Sequence, residues 1–302
     1  MTNKNIIFQK SFFIFLLLVL PLINNARPKE LENQLRKIIA NKKAQVGIAV
    51  IINGKDTITI NNNDHYPMMS VFKLHQALAV ADYCQRNNLS LDTPIHIHKT
   101  DLKSNTYSPL RDQYPEGGIS LSIKELLQFT LHLSDNNACD ILFNQIGGTK
   151  ATDNYIRTNL GIQHFSIQFT EDEMHQNPNT CYENWSTPLE TAKIIELLLT
   201  KRLFDEKYQE FIKETMISCQ TGKDRLPFPL QDTEAVIGHK TGTGDRNDEG
   251  QIIGLNDAGF IFLPDGQRYT IVVFIKNSEE SDIETAQIIA NISATVYQYM
   301  KD

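Results

Sequence analysis

Residues 258–275 read AGFIFLPDGQRYTIVVFI, two apolar runs rich in β-branched and aromatic residues (258–263 and 269–275) joined through Pro264-Asp265-Gly266. That pattern predicts an antiparallel hairpin. A second hairpin is predicted near the other end of the chain, where residues 45–53 (QVGIAVIIN) and 57–60 (TITI) flank Gly54-Lys55-Asp56. A further β-like run covers Ala235–Thr243. Pro28 opens a helical pattern with Leu31, Leu35, Ile38 and Ile39 on one face. Ser281-Asp282-Ile283-Glu284 is a capping box ahead of Ile289, Ile292, Val296 and Tyr299. From about residue 70 to 215 the apolar spacing is mostly helical. Hairpins at both ends must meet in one sheet. The expected fold is therefore α+β: an antiparallel five-stranded sheet flanked by terminal helices, with an inserted all-helical domain. The boundaries are read as a discontinuous α/β domain, 27–66 and 215–302, and a helical domain, 67–214. A site is expected in the cleft between them.

The chain has 302 residues, 41% hydrophobic and 22% charged, which excludes a disordered, collagenous or multi-span membrane protein. A net charge of −7 leaves no basic surface for phosphates, so no nucleic-acid partner is expected. Residues 1–26 read as an export signal: Lys4 and Lys10 precede an apolar run of 12 residues, 12–23, and Ala26 offers a cleavage point. The run is too short to span a bilayer, and no cysteine near its end supports a lipid anchor. The expected location is secreted or periplasmic, with no stable membrane anchor. In that compartment Cys84, Cys139, Cys181 and Cys219 allow three pairings, among which the sequence does not choose. His96-x-His98 lacks a third ligand nearby, and no metal or cofactor is expected. A monomer is the default.

Three short motifs carry chemistry. Ser70-Val71-Phe72-Lys73 opens a helical stretch, so hydroxyl and ammonium share a face. A serine hydroxyl needs a neighbouring base to become a nucleophile, and a helix start offers N–H groups to a developing oxyanion. Ser134-Asp135-Asn136 adds a second hydroxyl and a side-chain amide, although each of the three is also an ordinary helix cap. Lys240-Thr241-Gly242 lies on the run 235–243, where a lysine and a hydroxyl can bind a carboxylate and a glycine admits a ligand to the backbone.

In this order and spacing the motifs form the S-x-x-K, S-D-N, K-T-G set of class A β-lactamases and penicillin-binding proteins. The chain resembles a class A serine β-lactamase over nearly its whole length after the export signal. Tyr107-Ser108-Pro109 resembles the family's gate-tyrosine segment. The resemblance implies the β-lactamase/transpeptidase-like fold, hydrolysis of the β-lactam amide of penicillins and cephalosporins, and resistance to those drugs. It makes Ser70 the nucleophile, with Lys73 or Glu171 taking its proton, and Ser134 a proton relay. It has Glu171, in an Ω-loop near 168–187, activate water for deacylation, with His175 as a water-holding partner and Glu173 as the competing base. Asn136 would orient the substrate side chain, while Lys240, Thr241, Thr243 and Arg225 would hold the substrate carboxylate beside Gly242 and Tyr107.

The sequence also departs from the family pattern. No arginine lies between Arg157 and Arg202, so the usual Arg–Asp tie across the Ω-loop is absent. His175 stands where most relatives carry asparagine. Cys84 and Cys139 sit at offsets other than those of the family disulfide, which is not carried over. His239 and Thr243 resemble the branch that leans toward cephalosporins and extended-spectrum substrates. One alternative is a penicillin-binding D-Ala-D-Ala carboxypeptidase or transpeptidase, which has no use for Glu171. The other is a catalytically dead binding domain, which has no reason to keep the whole set.

Overall fold

The computed structural model describes residues 26–302. The export-signal reading falls outside these, apart from Ala26. In chain order, α1 (Ala26–Ile39) leads to the hairpin of β1 (Gln45–Ile52) and β2 (Asp56–Ile60), then β3 (Tyr66–Pro67) and α2 (Phe72–Arg86). Next come β4 (Pro94–Ile97), α3 (Pro109–Gln113), β5 (Ile119–Ser122), α4 (Ile123–His132), α5 (Asn136–Ile146) and α6 (Gly148–Thr158). They are followed by β6 (Phe165–Ser166), α7 (Glu171–Gln176), β7 (Trp185–Ser186), α8 (Pro188–Thr200) and α9 (Glu206–Ile217). β8 (Val236–Thr243), β9 (Ile252–Phe262), β10 (Arg268–Ser278) and α10 (Asp282–Lys301) complete the chain.

The main sheet runs β2-β1-β10-β9-β8, every pair antiparallel, so the two predicted hairpins meet edge to edge through β1 and β10. Strand periodicity explains the two layers packed on it. Along β10, Ile271, Val273 and Ile275 join a core with Leu31 and Leu35 of α1 and Ile289, Ile292 and Val296 of α10. The alternating Val272 and Phe274 join the core of the helical body, with Phe72, Leu78, Phe143 and Ile194. Each such fully buried side chain contributes about 1.5–3 kcal/mol. The predicted box at Ser281 forms: its hydroxyl oxygen accepts from the Glu284 N–H, and the Glu284 carboxylate accepts from the Ser281 N–H.

The segment 67–214 is not purely helical, contrary to expectation. It carries the ladder β4–β5, and β6 and β7 extend β3 into a second small sheet. Strands of two to four residues are too short to show a period of two, and these are made by tertiary packing.

Candidate active site

Ser70 is the middle residue of a 3₁₀ turn, Met69–Val71, which runs directly into α2 and puts Lys73 in that helix's first turn. Met69 takes φ +47°, a left-handed backbone rare outside glycine. Strands β8 and β9 hold the turn in place. A Cβ on Gly242 would lie 2.5 Å from the Met68 carbonyl oxygen and 3.3 Å from the Ser70 nitrogen. Only glycine lets the K-T-G strand approach the serine so closely. From β9, Asn256 Nδ2 donates to the carbonyls of Pro67 (2.8 Å) and Met68 (3.1 Å).

Around Ser70 the polar groups form one connected network. Its hydroxyl donates to Glu171 Oε1 at 3.2 Å, and the same oxygen is 2.8 Å from Lys73 Nζ. Lys73 also donates to the Ser134 carbonyl (2.7 Å) and to Asn136 Oδ1 (2.6 Å). Ser134 sits at φ +62° between α4 and α5, and its hydroxyl accepts from Lys240 Nζ at 2.8 Å. Asp135 is the N-cap of α5, and its buried carboxylate also accepts from Ser108 Oγ and the Leu110 N–H. In S-D-N the aspartate is thus a helix cap, while Ser134 and Asn136 on either side of it meet Lys240 and Lys73. Lys240 is fully buried, and burial together with the nearby Lys73 ammonium brings its pKa down to about 7.

Glu171 opens the short helix α7, with Thr170 as N-cap and Glu173 closing the capping box. Glu173 is thereby engaged at the exposed helix end, and Glu171 is the carboxylate that faces Ser70. The tie that the missing arginine would make is made by other residues. Asp140 of α5 accepts the backbone N–H groups of Glu171 (2.9 Å) and Asp172 (2.8 Å). Asn184 Oδ1 accepts from the Gln168 and Phe169 N–H groups, while its Nδ2 donates back to the Phe169 carbonyl. Burial and the neighbouring Glu171 charge raise the Asp140 carboxyl to about 7, against those two N–H bonds.

On the opposite wall Arg225 is buried, with Nη1 on the Gly242 and Asn256 carbonyls and Nη2 on Thr243 Oγ1 at 2.6 Å. Thr241 Oγ1 lies 2.6 Å from Thr221 Oγ1. Ser70, Ser134, Asn136, Thr241, Thr243 and Arg225 line one cavity of about 320 Å³, and Tyr107, 57% exposed, stands at its edge. A second cavity of about 180 Å³ has Glu171, His175, Asn136 and Thr243 on its walls. His175 is exposed there, beside Glu171 but not hydrogen-bonded to it. All sequence-predicted site residues thus gather around these two cavities or directly behind them.

Four residues that shape the site escape sequence reading: Asp140, Thr221, Asn256 and Asp257. The last two had a signal, since Asn-Asp interrupts the otherwise apolar run of β9. The four cysteines are all buried and unpaired. His96 and His98 are exposed, ring edge to ring face at 4.6 Å, away from the cavities.

The sheet, the helical body inserted in it and the half-buried serine bonded to a buried lysine–glutamate pair at their junction define an active-site-serine hydrolase. The chain belongs to the beta-lactamase enzyme family, whose family model matches residues 30–300. It is 40% identical over 298 residues to a beta-lactamase of Bacteroides uniformis, covering 97% of this chain and 100% of that one. Against the extended-spectrum beta-lactamase PER-1 of Pseudomonas aeruginosa the identity is 34% over 278 residues, 91% of this chain and 89% of the relative. Among solved structures, a class A beta-lactamase from Bacteroides cellulosilyticus superposes with a TM-score of 0.88 at 41% identity, over 92% of this chain and 100% of the other. The enzyme is a class A β-lactamase, a hydrolase of the β-lactam amide bond, and none of these matches favours the transpeptidase alternative.

Proposed function

We propose that the enzyme hydrolyses penicillins and cephalosporins, extended-spectrum cephalosporins included, through an acyl-enzyme on Ser70. The observation that carries this reading is the shared oxygen: Glu171 Oε1 is within 3.2 Å of Ser70 Oγ and 2.8 Å of Lys73 Nζ. The substrate carboxylate sits against Thr241, Thr243, Lys240 and Arg225, and its ring carbonyl between the N–H groups of Ser70 and Thr243. Ser70 attacks that carbonyl as its proton passes to Glu171. Lys73 has three acceptors around it, Glu171, the Ser134 carbonyl and Asn136, which use the three N–H bonds of an ammonium and favour Glu171 as the acylation base. The ring C–N bond breaks as the Ser134 hydroxyl passes a proton to the leaving nitrogen. Ser134 regains a proton from Glu171 by way of Lys73, which lies between them and leaves Glu171 ionised again, while Lys240 at 2.8 Å polarises the Ser134 hydroxyl. Glu171 then takes a proton from water as the water attacks the ester, and returns that proton to the Ser70 oxygen as the ester C–O bond breaks, with His175 bordering the cavity where the water enters.

The extended-spectrum part rests on His239 and Thr243 and on the PER-1 likeness. Residues 1–26 direct export, so the protein acts as a periplasmic or secreted monomer that confers resistance. Among the described residues no helix is long and apolar enough to cross a membrane. Intact-protein mass spectrometry of the enzyme mixed with a cephalosporin, sampled from milliseconds to minutes, tests the chemistry. A substrate-sized adduct on Ser70 that forms and disappears while the drug is consumed is the expected result. A persistent adduct transfers the reading to a penicillin-binding protein.

A further inference from the structure

The chain after α9 runs alongside β8 and meets it through three side-chain pairs in succession. Arg225 Nη2 reaches Thr243 at 2.6 Å, Thr221 Oγ1 reaches Thr241 at 2.6 Å, and Cys219 stands beside His239, which favours its thiolate. The first two pairs border the substrate cavity; the third lies just beyond it, and its cysteine has no part in the proposed chemistry. His239 is held from its other side by Asp257 of β9, Nδ1 to Oδ1 at 2.8 Å, in a wholly buried pair. Cys219, His239 and Asp257 thus form a thiol–imidazole–carboxylate cluster, with Lys240 and Arg225 as the other charges acting on the thiol. Cys219 Sγ is 3.4 Å from Thr221 Oγ1, so the cluster touches the second pair directly.

Resting on the functional reading above, we propose that Cys219 is a site of oxidation by hydrogen peroxide and other small hydroperoxides, and that its sulfenic acid weakens substrate binding by pushing the Thr221 hydroxyl off Thr241. The thiolate sulfur attacks one peroxide oxygen, so that the S–O bond forms as the O–O bond breaks. Sulfur loses two electrons, and the departing hydroxide takes the proton held by His239 and leaves as water. The result is Cys–SOH and neutral imidazole.

The four cysteines differ in the way this requires. Burial alone would raise the Cys219 thiol, but the hydrogen bond and charge of His239, with Lys240, bring it down to about 7. His239 itself is raised to about 10 despite burial, chiefly by Asp257. Burial pushes Cys84 up to about 11 and Cys181 up to about 12, and Cys139 well above its ordinary value. The thiolate is the form that reacts. Cys219 is only 9% exposed, which admits a small neutral oxidant and excludes bulky ones. An added oxygen has little free space and lies one side chain away from Thr241.

The test exposes the enzyme, with any export signal processed, to graded hydrogen peroxide, removes the peroxide, unfolds the protein in denaturant that contains an excess of a cyclic 1,3-dione so that the trap reaches every sulfenic acid, and maps the label by peptide mass. Label is expected on Cys219 before Cys84, Cys139 or Cys181. In the untrapped enzyme KM should rise about tenfold, the loss of one buried hydrogen bond, with kcat changed less than about twofold, and dithiothreitol should reverse it. Cys219→Ser and Cys219→Ala should keep their KM under the same treatment. His239→Gln, checked for folding by its melt, should slow labelling about tenfold at neutral pH by removing the thiolate's partner. First labelling of another cysteine, or an equal KM rise in Cys219→Ala, overturns the proposal. Label on Cys219 with KM unchanged overturns its coupling to the site. Absence of β-lactam turnover in the unoxidised enzyme would instead count against the functional reading, because the labelling map does not depend on turnover.

Discussion

Lys73 and Glu171 stand on different elements, the first turn of α2 and the first residue of α7, yet their charged atoms are 2.8 Å apart in a site where Lys73 is fully buried. Burial makes this contact strong and makes its loss costly. Glu171→Gln keeps the shape but removes the proton acceptor. Ester hydrolysis should fall by about 10²–10⁴-fold, the usual worth of a general base. Acylation should slow as well, because Glu171 is the acceptor nearest Ser70, but should remain measurable, so that a Ser70-bound adduct accumulates. Stopped-flow turnover with intact-mass readout checks both steps, and rapid turnover by this variant would remove Glu171 from its role.

Asp140 is what keeps Glu171 there. Its carboxylate takes two backbone N–H groups at the start of α7, and no arginine shares the task. Asp140→Ala leaves both donors unpaired at a cost of about 1–3 kcal/mol each. The melting temperature should drop, and deacylation should suffer more than acylation. Asp140→Asn, which retains one good acceptor, should fall between. An Asp140→Ala enzyme with unchanged deacylation would mean that α7 is held elsewhere.

These two residues show what the sequence does and does not disclose. The hairpins, the capped C-terminal helix and the three motifs are legible because each is a local pattern whose physics is complete within a dozen residues. Glu171 is legible only through resemblance, since nothing local separates it from Asp172 and Glu173. The structure separates them by engaging Glu173 in the helix cap. Asp140 is not legible at all: it lies mid-helix and its partners are 31 and 32 positions away. Asn256 and Asp257 hint at themselves as polar interruptions of a strand, but their targets, the chain before Ser70 and the His239 ring, exist only once the sheet has formed.

Arg225 touches the proposed carboxylate site through Thr243 and also props two backbone carbonyls. Arg225→Ala should raise KM for penicillins and cephalosporins about tenfold or more, with a smaller change in kcat, and lower stability modestly. Arg225→Lys should rescue little, because one ammonium cannot reproduce the fork that spans three acceptors. Steady-state kinetics on both variants decide it, and full rescue by lysine would reduce Arg225 to a point charge.

The Lys240 value near 7 sets a pH dependence with a definite sign. Below that pH the ammonium is charged and faces the substrate carboxylate, which stays ionised throughout. Above it the charge is lost, so kcat/KM should decline on the alkaline side, chiefly through rising KM. Because kcat/KM reports the free enzyme, the limb should fall near the free-enzyme value. Lys240→Gln should be weak and flat over the same range. A wild-type profile level from pH 6 to 9 would show that Lys240 does not titrate there.

His75, fully buried in α2 with neither ring nitrogen hydrogen-bonded, governs acid stability. Burial lowers its pKa to about 4, only partly opposed by the Val71 backbone and Asp153. Between about pH 4 and 6.5 the unfolded chain binds a proton that the native state refuses. Stability therefore rises with pH across that window and is lost as pH falls through it, by on the order of 3 kcal/mol. His75→Leu, similar in volume and without polar atoms, should flatten that part of the curve and leave the neutral-pH melt equal or higher. Urea unfolding at closely spaced pH values measures the slope. An unchanged slope in the variant would place the acid sensitivity on groups other than His75; Asp140 is not one of them, because its raised carboxyl pKa makes stability rise, not fall, with acid.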